Sequence, residues 1–223
     1  MRICIISDKH NHPLRNMNLP DADVLLHAGD WTGHGSLVEV EQFNNYCGQV
    51  KDKFKYGILC CAGNHELGVE ANYTLSKSLL TNVSMLTDEA IEIEGVKFWF
   101  SPFSKWFFGW AWNLHPGKEL EDKWNQIPED TNVLITHGPP KFMLDTLPSG
   151  EAAGDLELYN RILQLENLRL HGFGHIHAAH GVKTSVSGMV YANASICTES
   201  YKATNKPLLF DYDIYSHIVT QVL

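Results

Sequence analysis

Short apolar runs, each closed by a cluster of polar residues, recur along this chain and predict its first elements. Residues 3–7, 24–28 and 56–62 read as strands, because brief runs of Ile, Val, Leu and Cys without polar alternation suit strands covered on both faces. Between the second and third, Ser36 and Glu39 form a capping box. Leu37, Val40, Phe43 and Cys47 follow at helical spacing, which predicts a helix over residues 36–49. A second helix is expected over residues 70–80. Strand and helix in alternation are the signature of a layered α/β fold.

The middle of the chain changes character. Residues 91–100 read as a hairpin turning at Glu94-Gly95, and residues 101–113, SPFSKWFFGWAWN, are dense in aromatics. A strand over 133–136 leads into HGPP; a helix over 154–165 and a strand over 168–171 lead into GFGHIHAAHG at residues 172–181. Three β-rich runs follow, at 181–186, 189–193 and 207–212. No repeat, low-complexity tract or linker interrupts the pattern, so residues 1–223 are expected to form one domain.

Composition narrows the function classes. Hydrophobic residues at 44% and charged residues at 19% suit a chain that buries one large core. The net charge of −9 lacks the footprint of a nucleic-acid or anionic-membrane binder, although bound cations can reverse the field locally and admit a small phosphate ester. Five cysteines without a CxxC pair read as reduced thiols. The apolar run before Asp8 is too short for a signal-peptide core and no stretch has the length of a membrane span, so the expected compartment is the cytoplasm. No pattern specifies an oligomeric state.

The candidate chemistry lies where the strands end. Asp8 and His10 close the first strand, Asp30 the second, Asn64, His65 and Glu66 the third, His137 the fourth, and His175 and His177 the fifth. The carboxyl edge of such strands is where layered α/β folds build ligand sites. Carboxylate, amide and imidazole without thiolate suit divalent ions such as Mn, Fe or Zn, and the number of donors exceeds what one tetrahedral ion needs. Two ions are implied, with Asp30 as the natural bridge. In an extended segment His175 and His177 would face the same way and could serve separate ions, leaving His180 as a bystander.

The succession D-x-H, G-D, G-N-H-E, H and G-H-x-H, in order from Asp8 to His177, resembles the calcineurin-like metallophosphoesterase superfamily. Within it, LPDADVLLHAGDWT, VLITHGPP and NASICTESYKATNKPLLFD are similar to the small brain-type metallophosphoesterase-domain proteins and their bacterial and viral relatives. The resemblance implies a four-layer α/β/β/α fold, a β-sandwich flanked by helices. It implies one ion on Asp8, His10, Asp30 and His177, a second on Asp30, Asn64, His137 and His175, and attack on phosphorus by a hydroxide shared between them. The expected cofactor is a pair of divalent ions, manganese first, with Fe, Zn, Ni or Co as alternatives. His65 matches the family's phosphate-side histidine, expected to protonate the leaving oxygen or stabilise the transition state, and with Asn64 would contact substrate. Lys9 stands where the family usually carries Thr or Ser, and its side chain is expected in solvent, with a place near the phosphate as the alternative.

A small phosphodiester, above all a cyclic nucleotide, is the implied substrate. The aromatics Trp106, Phe107, Phe108, Trp110 and Trp112 could stack on a base. Trp106, Asn113, Asn193 and Ser195 complete the expected substrate contacts. A nuclease using the same site, or a weakly active nucleotide-binding regulator, is the alternative.

Overall fold

Alternation within the strands decides the layering. The computed structural model describes residues 1–222. Its strands are β1 (Arg2–Ile6), β2 (Val24–Ala28), β3 (Ile58–Cys61), β4 (Ser84–Met85), β5 (Glu89–Ile93), β6 (Val96–Ser101), β7 (Ser104–Lys105), β8 (Asn113–Leu114), β9 (Val133–Thr136), β10 (Leu170–Phe173), β11 (Gly181–Thr184), β12 (Val190–Asn193), β13 (Leu208–Tyr212) and β14 (Val219–Val222). Its helices are α1 (Leu37–Gly48), α2 (Leu67–Ala71), α3 (Tyr73–Leu79), α4 (Lys118–Trp124) and α5 (Leu156–Ile162). Ile3 and Ile5 face an inter-sheet layer with Phe98, Phe100, Val133, Ile135 and Leu170. Cys4 and Ile6 face the other way, onto Val40, Phe43 and Cys47 of α1. On the second sheet Trp99 and Leu134 turn outward onto Leu120 and Trp124 of α4 and Leu158 and Ile162 of α5. The result is helix, sheet, sheet, helix, with each fully buried Ile, Leu or Phe contributing about 1.5–3 kcal/mol.

The sheets run β14-β13-β1-β2-β3-β4 and β11-β12-β10-β9-β6-β5. β1 to β4 are mutually parallel, as are β6, β9, β10 and β12, while β13, β14, β5 and β11 pair antiparallel at the edges. Parallel pairing brings the carboxyl ends of β1, β2 and β3 to one edge of their sheet and those of β9 and β10 to one edge of theirs. The five polar fragments of the sequence occupy those ends.

Local expectations hold where a local signal exists. α1 begins with both arms of the Ser36–Glu39 capping box, and the β5–β6 hairpin turns through Glu94 and Gly95, both at positive φ (51° and 78°), as a two-residue hairpin requires. The helix expected over 70–80 is two helices, broken at Asn72, whose φ of −129° leaves the helical region. The strand expected at 168–171 lies two residues later. Leu168 N–H is held by Leu165 C=O in the turn that ends α5, so pairing with β9 begins at Leu170. α4, the short strands β4, β7 and β8, and β14 are not among the elements that the sequence pattern predicts.

Candidate metal centre

At the strand ends the backbone leaves the β region abruptly. Asp8 (φ 51°), His10 (41°), Asp30 (54°) and His175 (67°) are all left-handed, a conformation that costs a non-glycine residue about 1–2 kcal/mol. Backbone pairing holds them there: Asp8 N–H donates to Gly29 C=O and His10 N–H to Asp30 C=O, both at 3.0 Å, joining the exits of β1 and β2. The extended reading of residues 175–177 is corrected here. β10 ends at Phe173, His175 reverses the chain, and His177 opens a single 3-10 turn, His177–Ala179. The two histidines reach different parts of the site because His175 is itself left-handed and His177 begins a 3-10 turn, not because alternate residues share a face.

Three overlapping groups of ligand atoms result, each with all its atoms within 4.8 Å of one another: Asp8, His10 and His177; His10, Asp30 and His65; and Asp30, His137 and His175. Asn64 Oδ1 lies 2.8 Å from both His137 Nε2 and His175 Nδ1. His10 Nε2 lies 3.1 Å from His177 Nε2, which is 3.3 Å from Asp8 Oδ1. Asp30 therefore stands between the two expected sets, with Oδ1 3.4 Å from His137 Nε2 and Oδ2 3.9 Å from His10 Nε2. Backbone carbonyls fix two imidazoles. His137 Nδ1–H donates to Ala28 C=O (2.9 Å) and His177 Nδ1–H to Thr198 C=O (3.1 Å), which leaves both Nε2 atoms facing inward. Such carbonyl partners typically orient metal-binding histidines. Carboxylate, amide oxygen and imidazole nitrogen thus converge without a thiolate among them, a donor set that fits divalent cations once the ring nitrogens give up their protons.

Glycine at Gly174 is obligatory for this approach, because a Cβ there would collide with Asp8 Oδ2 and Ser7 Oγ. Asp8 in turn is oriented by His175 N–H (3.0 Å to Oδ2) and by the Ser195 hydroxyl, which donates to Oδ2 at 2.8 Å. Ser195→Ala is expected to weaken metal binding about 10- to 100-fold, the usual cost of removing such a partner, while the melting transition stays cooperative. Calorimetric titration with Mn²⁺ checks it, and an unchanged affinity would deny Ser195 this role.

The electrostatics follow from burial and proximity. Burial alone would raise Asp8, yet its contacts with His177 and the charges of His137 and His10 hold it well below the ordinary carboxylate range. Asp30 is likewise held down, against burial, by His137 and His10. Burial opposes charge on His137, but Asp30, Asp8 and the Ala28 carbonyl outweigh it and hold that imidazole at about 9. A cation bound to His137 must displace this proton, so protons compete below about pH 9 and not above. Affinity should therefore rise at least about tenfold per unit between pH 6.5 and 8.5 and flatten near 9. Calorimetry across that range measures it, and a flat profile would exclude His137 as a ligand.

Asp30, Asn64, His65, His175 and His177 open onto a cavity of about 450 Å³. Phe103, Trp106 and Phe107 form one wall, Pro139, Leu147 and Leu158 another, and Lys105 is the sole lysine or arginine in the lining. Trp106 is half-exposed and stacks on His115 (5.6 Å, 14°). The remaining aromatics divide: Phe108 points to solvent, Trp112 is buried, and Trp110 stacks on His65 at 4.4 Å.

Three expected substrate residues lie elsewhere. Asn113 bonds Phe107 N–H, Ser104 Oγ and Ala111 C=O within the aromatic loop. Asn193 is fully buried, donating to Ile176 and Leu144 carbonyls and accepting from Ser195 N–H. Ser195 is buried behind Asp8. None of the three lines the cavity. Lys9 is also corrected: its side chain is buried, with Nζ 5.2 Å from the ring centres of both Phe43 and Tyr46, and burial lowers it to about 8.

Two contributors, one already in the strand-end cluster, take roles that the sequence pattern does not assign. Glu66 is fully buried and accepts from Asp30 N–H, Thr32 N–H, Thr32 Oγ1 and Gly63 N–H, tying the loop after β2 to the loop after β3. Its place in G-N-H-E, three residues after Gly63, was the available signal. Tyr201 packs edge-on against His10 (4.8 Å) and His177 (5.5 Å) at the cavity rim, and only the fold brings it there.

The calcineurin-like phosphoesterase family profile matches residues 1–179. Human metallophosphoesterase domain-containing protein 1 is 37% identical over a gapped alignment of 234 positions that covers 94% of this chain and 70% of that protein. A UPF0046 protein of Caenorhabditis elegans is 34% identical over an alignment of 232 positions, covering 95% of this chain and 80% of that protein. One solved crystal structure superposes with a TM-score of 0.65 at 14% identity, over 99% of this chain and 98% of the other, a likeness of fold.

Proposed function

The chain belongs to the calcineurin-like phosphoesterase family, whose members are metal-dependent phosphoester hydrolases, and from that premise we propose that it cleaves small phosphodiesters, cyclic nucleotides first among them, at a two-ion site centred on Asp30. The observation that carries this reading is the position of Asp30, shared by two of the ligand groups at the floor of an aromatic-walled cavity of about 450 Å³, a size that suits a small ligand. Asp8, His10, Asp30 and His177 form the first ligand set, and Asp30, Asn64, His137 and His175 the second. Two divalent ions, when bound, supply Lewis acidity that lowers the pKa of water and offsets phosphoryl charge.

The chain's own residues do the rest. Asp30 balances positive charge on both sides of the site. His65 donates Nδ1–H to Gly33 C=O at 2.8 Å, so Nε2 is the nitrogen that takes up a second proton from water and, as imidazolium, delivers it to the leaving oxygen, returning to the neutral Nδ1–H ring. Its N–H to Asp30 Oδ1, at 2.8 Å, fixes that ring relative to the ligand sets. Trp106 and Phe107 exclude water from the leaving group and offer it an aromatic face. A polynucleotide is disfavoured, because the net charge of −9 and a single lysine in the lining provide little phosphate neutralisation. Five buried free cysteines fit a reducing, cytoplasmic setting. Among the described residues no helix is long and apolar enough to cross a membrane.

Assay of the Mn²⁺-loaded protein against bis-p-nitrophenyl phosphate, p-nitrophenyl phosphate, cyclic AMP, cyclic GMP and single-stranded DNA tests the proposal. The diester should exceed the monoester, a cyclic nucleotide should turn over, and DNA should stay intact. Failure on every diester would refute it.

A further inference from the structure

Trp110 belongs to the aromatic stretch that invites a base-stacking reading, yet it does not line the cavity. Its indole lies against the His65 ring instead, with centroids 4.4 Å apart and planes 29° from parallel. His10 meets the same imidazole edge-on at 4.6 Å and 75°. The ring of His65 is therefore held on three counts: a stacked face, an edge and the Nδ1–H bond to Gly33 C=O.

The loop is built to deliver the indole. Phe108 (φ 48°) and Gly109 (φ 71°) are consecutive left-handed residues, and Trp110 N–H closes the turn on Phe107 C=O at 3.2 Å, the arrangement of a type I′ turn. Phenylalanine at the first of these positions is unfavourable, and the surroundings must enforce it. They do so immediately afterwards: Ala111 N–H donates to Asn64 C=O (3.2 Å) and Trp112 N–H to Glu70 Oε1 (2.9 Å). Asn113 ties the other side of the loop through Phe107 N–H and Ser104 Oγ. The aromatic loop is thus latched, residue by residue, onto the segment that carries Asn64 and His65.

We infer that Trp110 is a positioning residue for His65, holding the imidazole so that Nδ1–H stays on Gly33 C=O and Nε2 stays aimed at the leaving oxygen. The inference rests on the phosphodiesterase reading above for what Nε2 does, and on geometry alone for how the ring is held. Without the indole the ring could rotate about its two side-chain torsions, and the Gly33 bond would no longer select one nitrogen.

Two measurements on wild type, Trp110→Ala, Trp110→Phe and His65→Ala test it. The first needs no turnover: nitrogen NMR of the histidine-labelled protein, with zinc present as a diamagnetic ion and at a pH where the His65 ring is neutral, should show a single Nδ1–H tautomer for His65 in wild type and Trp110→Phe. Trp110→Ala should show averaging of the two ring nitrogens. The second is hydrolysis of methyl aryl diesters that release either p-nitrophenol or the far less acidic phenol. Trp110→Ala should lose roughly 10- to 100-fold in kcat on the phenyl ester and much less on the p-nitrophenyl ester, with KM and metal stoichiometry unchanged, and the double variant should be no slower than His65→Ala alone. Trp110→Phe should restore most of the difference. An unaltered His65 tautomer in Trp110→Ala, or equal losses on both esters, overturns the positioning role. A His65→Ala enzyme indifferent to the leaving group would instead overturn the acid role of His65, and the NMR result would still decide the role of Trp110.

Discussion

Asp30→Asn should leave a folded protein that has lost its metal centre and nearly all of its activity. The substitution preserves shape: an amide oxygen can still accept His65 N–H, and the Asp30 backbone N–H still meets Glu66 Oε2 at 2.9 Å. Charge is what disappears. Asp30 is almost fully buried, and its carboxylate is the principal charge that keeps His137 protonated up to about 9 in the metal-free chain. Removing one member of a buried charged set costs about 3–5 kcal/mol, equivalent to about 10²–10⁴ in affinity. Two calorimetric sites in wild type should therefore become one or none, with diester turnover falling by at least about 10³. Two sites and full turnover in the variant would remove Asp30 from the centre of the site.

His65→Ala should separate chemistry from metal binding. His65 Nε2 is 3.9 Å from Asp30 Oδ2, and His10, Asp30 and His65 together satisfy a metal-ligand geometry, so a ligand role and an acid role both have a geometric basis. The bond from Nδ1–H to Gly33 C=O leaves Nε2 facing the cavity and gives the ring a fixed axis, which serves either role, so the metal content of the variant decides between them. Loss of a general acid costs about 10²–10⁴ in turnover. The expected variant retains two ions by calorimetry and turns over a phenyl-leaving diester that much more slowly. Loss of an ion together with activity would make His65 a ligand.

Much of the architecture was legible because it depends on local signals. The buried strands β1, β2 and β9, the capping box of α1 and the β5–β6 turn each announce themselves within a few residues, through composition, spacing or a turn pair. α4 escaped notice because its buried face is only Leu120 and Trp124 in a seven-residue helix rich in charge, too brief for a periodicity to stand out. Asp8, His10, Asp30, Asn64, His137, His175 and His177 were legible as a set for a different reason. Each follows an apolar strand, and a layered sheet has one edge where such residues can meet.

Which atoms touch was decided by the tertiary structure. Ser195 is 187 residues from Asp8 and bonds it; Tyr201 closes over His10; Lys9 turns into the α1 layer instead of solvent. Asn113 and Asn193 hold loops together where nucleotide contacts were expected. His175 and His177 diverge through a left-handed residue that no alternation rule foretells. The sequence by itself determined the main strands, the layered α/β class and the chemical inventory of the edge, because these follow from hydrophobic runs and residue type. The aim of each side chain, and the pairing of Trp110 with His65, required the fold, because both depend on backbone exits and long-range hydrogen bonds that leave no local trace.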